Sequence, residues 1–116
     1  MHVLRITLCC CALFAVKVQA EPAQRIVALS PHLVEQLYSI GVGNKIVGTT
    51  DHADYPDAAK NIPRVGNYAQ LQVEKILALK PDLILAWTDG NPPADLNKLR
   101  QFGLNVVDSN PLQLTD

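Results

Sequence analysis

From Glu74 to Trp87 the chain reads EKILALKPDLILAW, and the period of its apolar residues changes within that stretch. Val73, Ile76, Leu77 and Leu79 recur at helical spacing, with Glu74 and Lys75 on the opposite side. Pro81 stops this helix, because it lacks an N–H and biases the preceding residue away from the α region. Leu83-Ile84-Leu85-Ala86 is then a continuous apolar run, the pattern of a strand covered on both faces in a parallel sheet. Trp87 stands where this strand ends, followed by the loop Thr88 to Pro93. In open α/β sheets ligands bind beyond the carboxyl ends of the strands, so Trp87 is a candidate wall residue.

The same alternation runs through the rest of the chain. Arg25 to Leu29 reads as a first strand, and Ser30-Pro31 as a helix start with serine at the N-cap and proline at the first helical position. Leu33, Val34, Leu37, Tyr38 and Ile40 form the predicted inner face of that helix, which Gly41 closes. Lys45 to Thr50 predicts a second strand, Asp51 to Pro56 the loop after it, and Asp57 to Lys60 a single helical turn. Pro63 to Gly66 reads as a short strand followed by the loop Asn67 to Gln70. Beyond Trp87 come a helix over Ala94 to Phe102, closed by Gly103, and a last strand over Asn105 to Asp108. Strand and helix in alternation predict an α/β fold, a doubly wound, Rossmann-like parallel sheet flanked by helices. Pro111 to Asp116 resembles the start of another helix, so a longer protein, truncated here, is expected.

The first twenty residues stand outside this pattern. Arg5 supplies a positive start, Ile6 to Val16 is an apolar run too short to span a bilayer, and Val18-Gln19-Ala20 offers small residues for cleavage. Residues 1–20 are therefore expected to be a secretory signal peptide and residues 21–116 one exported domain. An uncleaved anchor and lipidation within Cys9-Cys10-Cys11 are the alternatives. All three cysteines fall in the leader, so the exported part relies on its core alone, without disulfides. Cleavage removes Arg5 and Lys17 from ten basic residues and none of the eleven acidic ones, moving the formal charge from −1 to −3. With no basic run, nucleic acid is not an expected partner.

His52, Tyr55, Tyr68 and Trp87 all fall in loops after strands and can converge on one edge of the sheet; the alternative is that Tyr55 packs over its loop and Trp87 caps the core. Ser30 can bind an anion at a helix N-terminus or serve as an ordinary N-cap. His32 and His52 with Asp51 and Asp54 offer metal-ligand chemistry, but their spacing matches no ordinary motif, and a solvated pair of histidines is the alternative. There is no nucleophile elbow, phosphate-cradling loop or paired metal spacing, so catalysis has no support and no cofactor is expected.

The run RIVALSPHLVEQLYSIGVGNKIVGTTDHADYP, with IPRVGNYAQLQVEKILALKPDLILAW after it, resembles the amino-terminal lobe of the cobalamin-binding periplasmic proteins. These are substrate-binding components of vitamin-import ABC transporters, within a wider family that also carries iron–siderophores and haem. The likeness covers Arg25 to Asp116. Its most specific elements are Ser30-Pro31, Asp54-Tyr55-Pro56, the Glu74 helix, Lys80-Pro81-Asp82-Leu83 and Ala86-Trp87. It implies two α/β lobes joined by a long helix, with cobalamin or a related corrinoid held between them, and a chain that stops before that helix. Trp87 and Tyr68 fall on aromatic cleft positions of the family. His52 falls on a tyrosine position, a departure that bears on which ligand is held. Glu74 falls on a surface glutamate that meets arginines of the permease, and its place opposite the apolar stripe agrees with exposure. The resemblance thus implies a monomeric binding module whose partners are a corrinoid and an ABC permease. An iron–siderophore or haem binder is the alternative, and a periplasmic metal-dependent enzyme using His52 with Asp51 or Asp54 the reading from another class.

Overall fold

The computed structural model describes residues 21–109. The expected leader and the expected helix start at Pro111 lie outside the described residues. Four strands form one parallel sheet: β1 (Ile26–Ala28), β2 (Ile46–Thr49), β3 (Leu83–Ala86) and β4 (Val106–Asp108), in spatial order β2-β1-β3-β4. Three α-helices connect them: α1 (Pro31–Ser39), α2 (Val73–Leu79) and α3 (Pro93–Gln101). Single 3₁₀ turns lie at Gly43–Lys45 and Asp57–Asn61, the latter being the helical turn expected there.

Winding reverses at β1. The chain steps outward from β1 to β2, then crosses back to build β3 and β4 on the other side. Parallel crossovers are right-handed, so a reversal of direction puts the helices on opposite faces. Leu33, Val34 and Leu37 of α1 accordingly pack with Ile26, Ala28 and Ile46 on one face. On the other face Ile76 of α2 and Leu96 and Leu99 of α3 pack with Val27, Ile84 and Ala86. The helices therefore part company over β1 and β3, and a crevice is left at the carboxyl ends of those strands.

Local chemistry explains the element ends. The Ser30 hydroxyl accepts from the Leu33 N–H, so this serine acts as the N-cap, and Gly41 and Gly103 close α1 and α3 with φ of 88° and 85°. Lys80 ends α2 in the left-handed region, and the Arg25 guanidinium donates twice to the Leu79 carbonyl, at 2.9 and 2.7 Å. Asp82 accepts from the backbone N–H of Gln24 and of Arg25 at 2.9 and 3.0 Å, tying the start of β3 to the segment leading into β1. Those two bonds hold its carboxyl below the usual range. At Gly48 the Leu79 side chain lies 2.8 Å from where a Cβ would sit, which lets α2 settle directly on β2.

Two expectations need correction. Ile40 is 72% exposed, not part of the inner face of α1, because the chain turns away at Gly41 before that residue can meet the sheet. Pro63 to Gly66 does not form a regular strand. It makes only single bridges, Arg64 with Thr49 and Gly66 with Leu71, since Pro63 has no N–H for a ladder.

Candidate functional site

Beyond the ends of β1 and β3 lies a depression of about 120 Å³, lined chiefly by Ser30, His52, Asn67, Tyr68, Trp87 and Asn91. Three of the four residues singled out as ligand candidates from the sequence, His52, Tyr68 and Trp87, are brought together there. Tyr55 does not line it and is 70% exposed.

The bottom of the site is built by Asn91. In the parallel register Ile26↔Leu83 to Ala28↔Leu85, the Leu29 N–H donates to the Leu85 carbonyl, and the next rung would run from the Trp87 N–H to the Leu29 carbonyl. The Asn91 carboxamide is inserted into that rung instead. Its Oδ1 accepts from the Trp87 N–H at 2.7 Å and its Nδ2 donates to the Leu29 carbonyl at 2.9 Å. The strands can part here because Pro31 has no N–H to continue the ladder. Asn91 is only 5% exposed, and its own N–H donates to the Trp87 carbonyl at 2.7 Å. Sequence reasoning missed it, since asparagine before two prolines reads as ordinary loop.

The Trp87 ring packs against the core on the α1 face and also lines the depression. Gly90 makes room for it, as a Cβ there would overlap the indole. The His32 imidazole meets the same ring edge-on, with centroids 5.2 Å apart and planes at 86°. His32 is thus held by Trp87 and by the Ser30 hydroxyl, 3.0 Å from Nδ1.

Tyr68 rides on a turn closed by its neighbours. The Asn67 Oδ1 accepts from the N–H of Ala69 and of Gln70 at 2.9 and 3.0 Å, and the Asn67 N–H donates to the Gln70 carbonyl. The Asp95 carboxylate accepts from the Leu71 N–H at 2.9 Å, anchoring the following segment to α3. Tyr68 itself is 79% exposed.

His52 has φ of 74°, a left-handed conformation that a side chain adopts only under local constraint. The constraint is visible: Asp51 N–H donates to the Gly66 carbonyl, Asp54 N–H to the His52 carbonyl, and Arg64 to the Ala53 carbonyl and the Asp54 carboxylate. Among the described residues no three His, Cys, Asp or Glu side chains converge as metal ligands, and His32 is engaged with Ser30 and Trp87.

Glu74 does not line the depression. It is exposed in the first turn of α2 and borders a separate groove of about 350 Å³ with Val73, Lys98, Gln101 and Phe102.

Residues 26–114 match the sequence profile of the family described as periplasmic binding protein. The chain is 46% identical over 104 residues to the vitamin B12-binding protein of Vibrio vulnificus, covering 90% of this chain and 38% of that one. The crystal structure of the periplasmic vitamin B12 binding protein BtuF of Vibrio cholerae superposes with a TM-score of 0.74 at 49% identity, over 77% of this chain and 35% of that one. A periplasmic heme binding protein from Pseudomonas aeruginosa follows with a TM-score of 0.71 at 33% identity, over 75% of this chain and 31% of its own. The chain spans about two-fifths of the length of the curated relatives it matches. With its parallel sheet, its crevice at the strand ends and this profile match, the chain belongs to the periplasmic binding protein family.

Proposed function

We propose that this chain is the amino-terminal lobe of the substrate-binding component of an ABC importer, exported to the periplasm by residues 1–20. It captures cobalamin or a related corrinoid and delivers it to the membrane permease. The observation that carries the reading is the gathering of His52, Tyr68 and Trp87 around one depression at the point where the sheet reverses its winding. Flat rings and a shallow wall suit a large planar ligand. The depression holds about 120 Å³, whereas a site that buries a drug-sized ligand needs roughly 300–1,000 Å³. One lobe therefore supplies one wall, and a second lobe supplies the other.

Within this reading Tyr68 and Trp87 stack on or flank the corrin ring. His52 stacks on the ring or ligates cobalt, because neutral imidazole is a good donor to transition metals. Glu74 stands exposed for an arginine of the permease. The protein works as a monomer and catalyses nothing; the relatives' names are those of binding proteins.

Calorimetry with cobalamin, on this chain and on a form carrying the second lobe, tests the proposal. The two-lobed form is expected to bind tightly and the single lobe far more weakly. Submicromolar binding by the lobe alone would refute the two-wall cleft. Haem is the second reading, favoured by the likeness to the Pseudomonas aeruginosa protein; tight haem binding with none to cobalamin would establish it instead.

A further inference from the structure

The imidazole of His32 occupies a place that neither the fold nor the capping of α1 requires. It is exposed at the second residue of α1, where a short polar or acidic side chain would serve the helix as well. Instead it stands at right angles to the Trp87 ring with its centroid 5.2 Å away. Its Nδ1 lies 3.0 Å from the hydroxyl of Ser30, a residue 1% exposed. That hydroxyl already accepts from the Leu33 N–H, so its proton is free to point at Nδ1. The imidazole is thereby fixed at one end by a buried cap and at the other by the indole.

Resting on the proposed ligand reading, we infer that His32 is a positioning residue of the ligand wall, holding the Trp87 ring in place through the edge contact. The core and Gly90 already bound the Trp87 ring and Asn91 fixes its backbone, and the His32 edge contact adds a further constraint on where the ring stands.

Fluorine NMR of protein labelled with 5-fluorotryptophan tests this, the Trp87 line being assigned by its loss in Trp87→Phe. His32→Ala should move the line toward that of solvent-exposed tryptophan and weaken cobalamin binding about three- to tenfold, the size of one aromatic pair. His32→Phe, which supplies an aromatic edge without the Ser30 hydrogen bond, should hold the line near its wild-type position. A Trp87 line that is unmoved in His32→Ala, or one displaced as far in His32→Phe as in His32→Ala, overturns the inference. Should the wild type not bind cobalamin, the proposed ligand fails, while the fluorine shifts still decide whether His32 holds Trp87. Circular dichroism checks folding, and an exposed site makes both His32 variants tolerable to the core.

Discussion

Replacing Asn91 by alanine removes one side chain and leaves two backbone groups, the Trp87 N–H and the Leu29 carbonyl, without the partner that the carboxamide supplied. A buried polar group left unpaired costs about 1–3 kcal/mol. The adjoining depression is large enough to admit water, whose share of liquid volume is ~30 Å³, so each group recovers part of that loss. The lower half of the range applies to each of the two groups, and the total comes to about 2–4 kcal/mol. With a urea dependence of about 1–2 kcal/mol/M, the unfolding midpoint should fall by roughly 1–4 M. Urea titration followed by circular dichroism measures this directly. Asn91→Asp adds a sign test. The ionised carboxylate still accepts from Trp87 but faces the Leu29 carbonyl with no proton to donate, so that variant should regain stability as acid neutralises it. A loss under about 0.5 kcal/mol in Asn91→Ala, with an unchanged urea slope, would mean that the strands close the rung themselves, and the wedge would be dispensable.

The remaining expectations concern other parts of the lobe. Asp82 has a carboxyl pKa lowered chiefly by the N–H of Gln24 and of Arg25, so its stabilising contribution is present above its unfolded value of 3.8 and disappears as pH falls through the lower folded value. Asp82→Asn should therefore flatten the acid limb of a thermal-melting profile below about pH 4, and an unaltered limb would refute the assignment. Gly90→Ala should displace the Trp87 ring and weaken cobalamin binding while the fold persists, because the added methyl overlaps the indole rather than the core; native affinity would refute it. Glu74→Arg in the two-lobed protein should leave ligand affinity unchanged and weaken the permease complex, by about 2–5 kcal/mol if the pair is buried at the interface. Loss of ligand affinity would make Glu74 a site residue instead.

What could be read from the sequence follows from the range of the forces involved. Ser30-Pro31, Gly41 and Gly103 are local signals, and the helices they bound fall within a residue or two of expectation. The apolar run at Leu83 to Ala86 reads as a covered strand, with Ile84 and Ala86 fully buried and Leu83 and Leu85 half-buried on the α1 face. Ile40 misled because apolar periodicity continues one residue past the geometry that uses it. The loops after the strands could be proposed as a site because strand polarity alone puts them on one edge. The residues that build the bottom of that site could not. Asn91 acts on Leu29 across 62 positions of sequence, at a rung whose register exists only once β1 and β3 have paired. His32 belongs to the same class: its distance from Trp87 depends on where α1 leaves β1, which no window of sequence encodes.

In the proposed ligand wall, the turn that carries Tyr68 has a consequence for how that wall changes over generations. Its frame is closed by Asn67, through backbone N–H groups of Ala69 and Gln70, and by none of the atoms of the Tyr68 side chain. With that side chain 79% exposed, the ring is mounted on a support whose stability does not depend on it. Exchanging tyrosine for another aromatic, or for a hydrogen-bonding side chain, alters what the wall offers a ligand at little cost in folding. Selection can therefore retune the chemistry at position 68 one substitution at a time, while Asn67 keeps each trial residue pointed at the same place. Trp87, wedged between the core and the site, has no such freedom, so drift in ligand preference should begin at the turn.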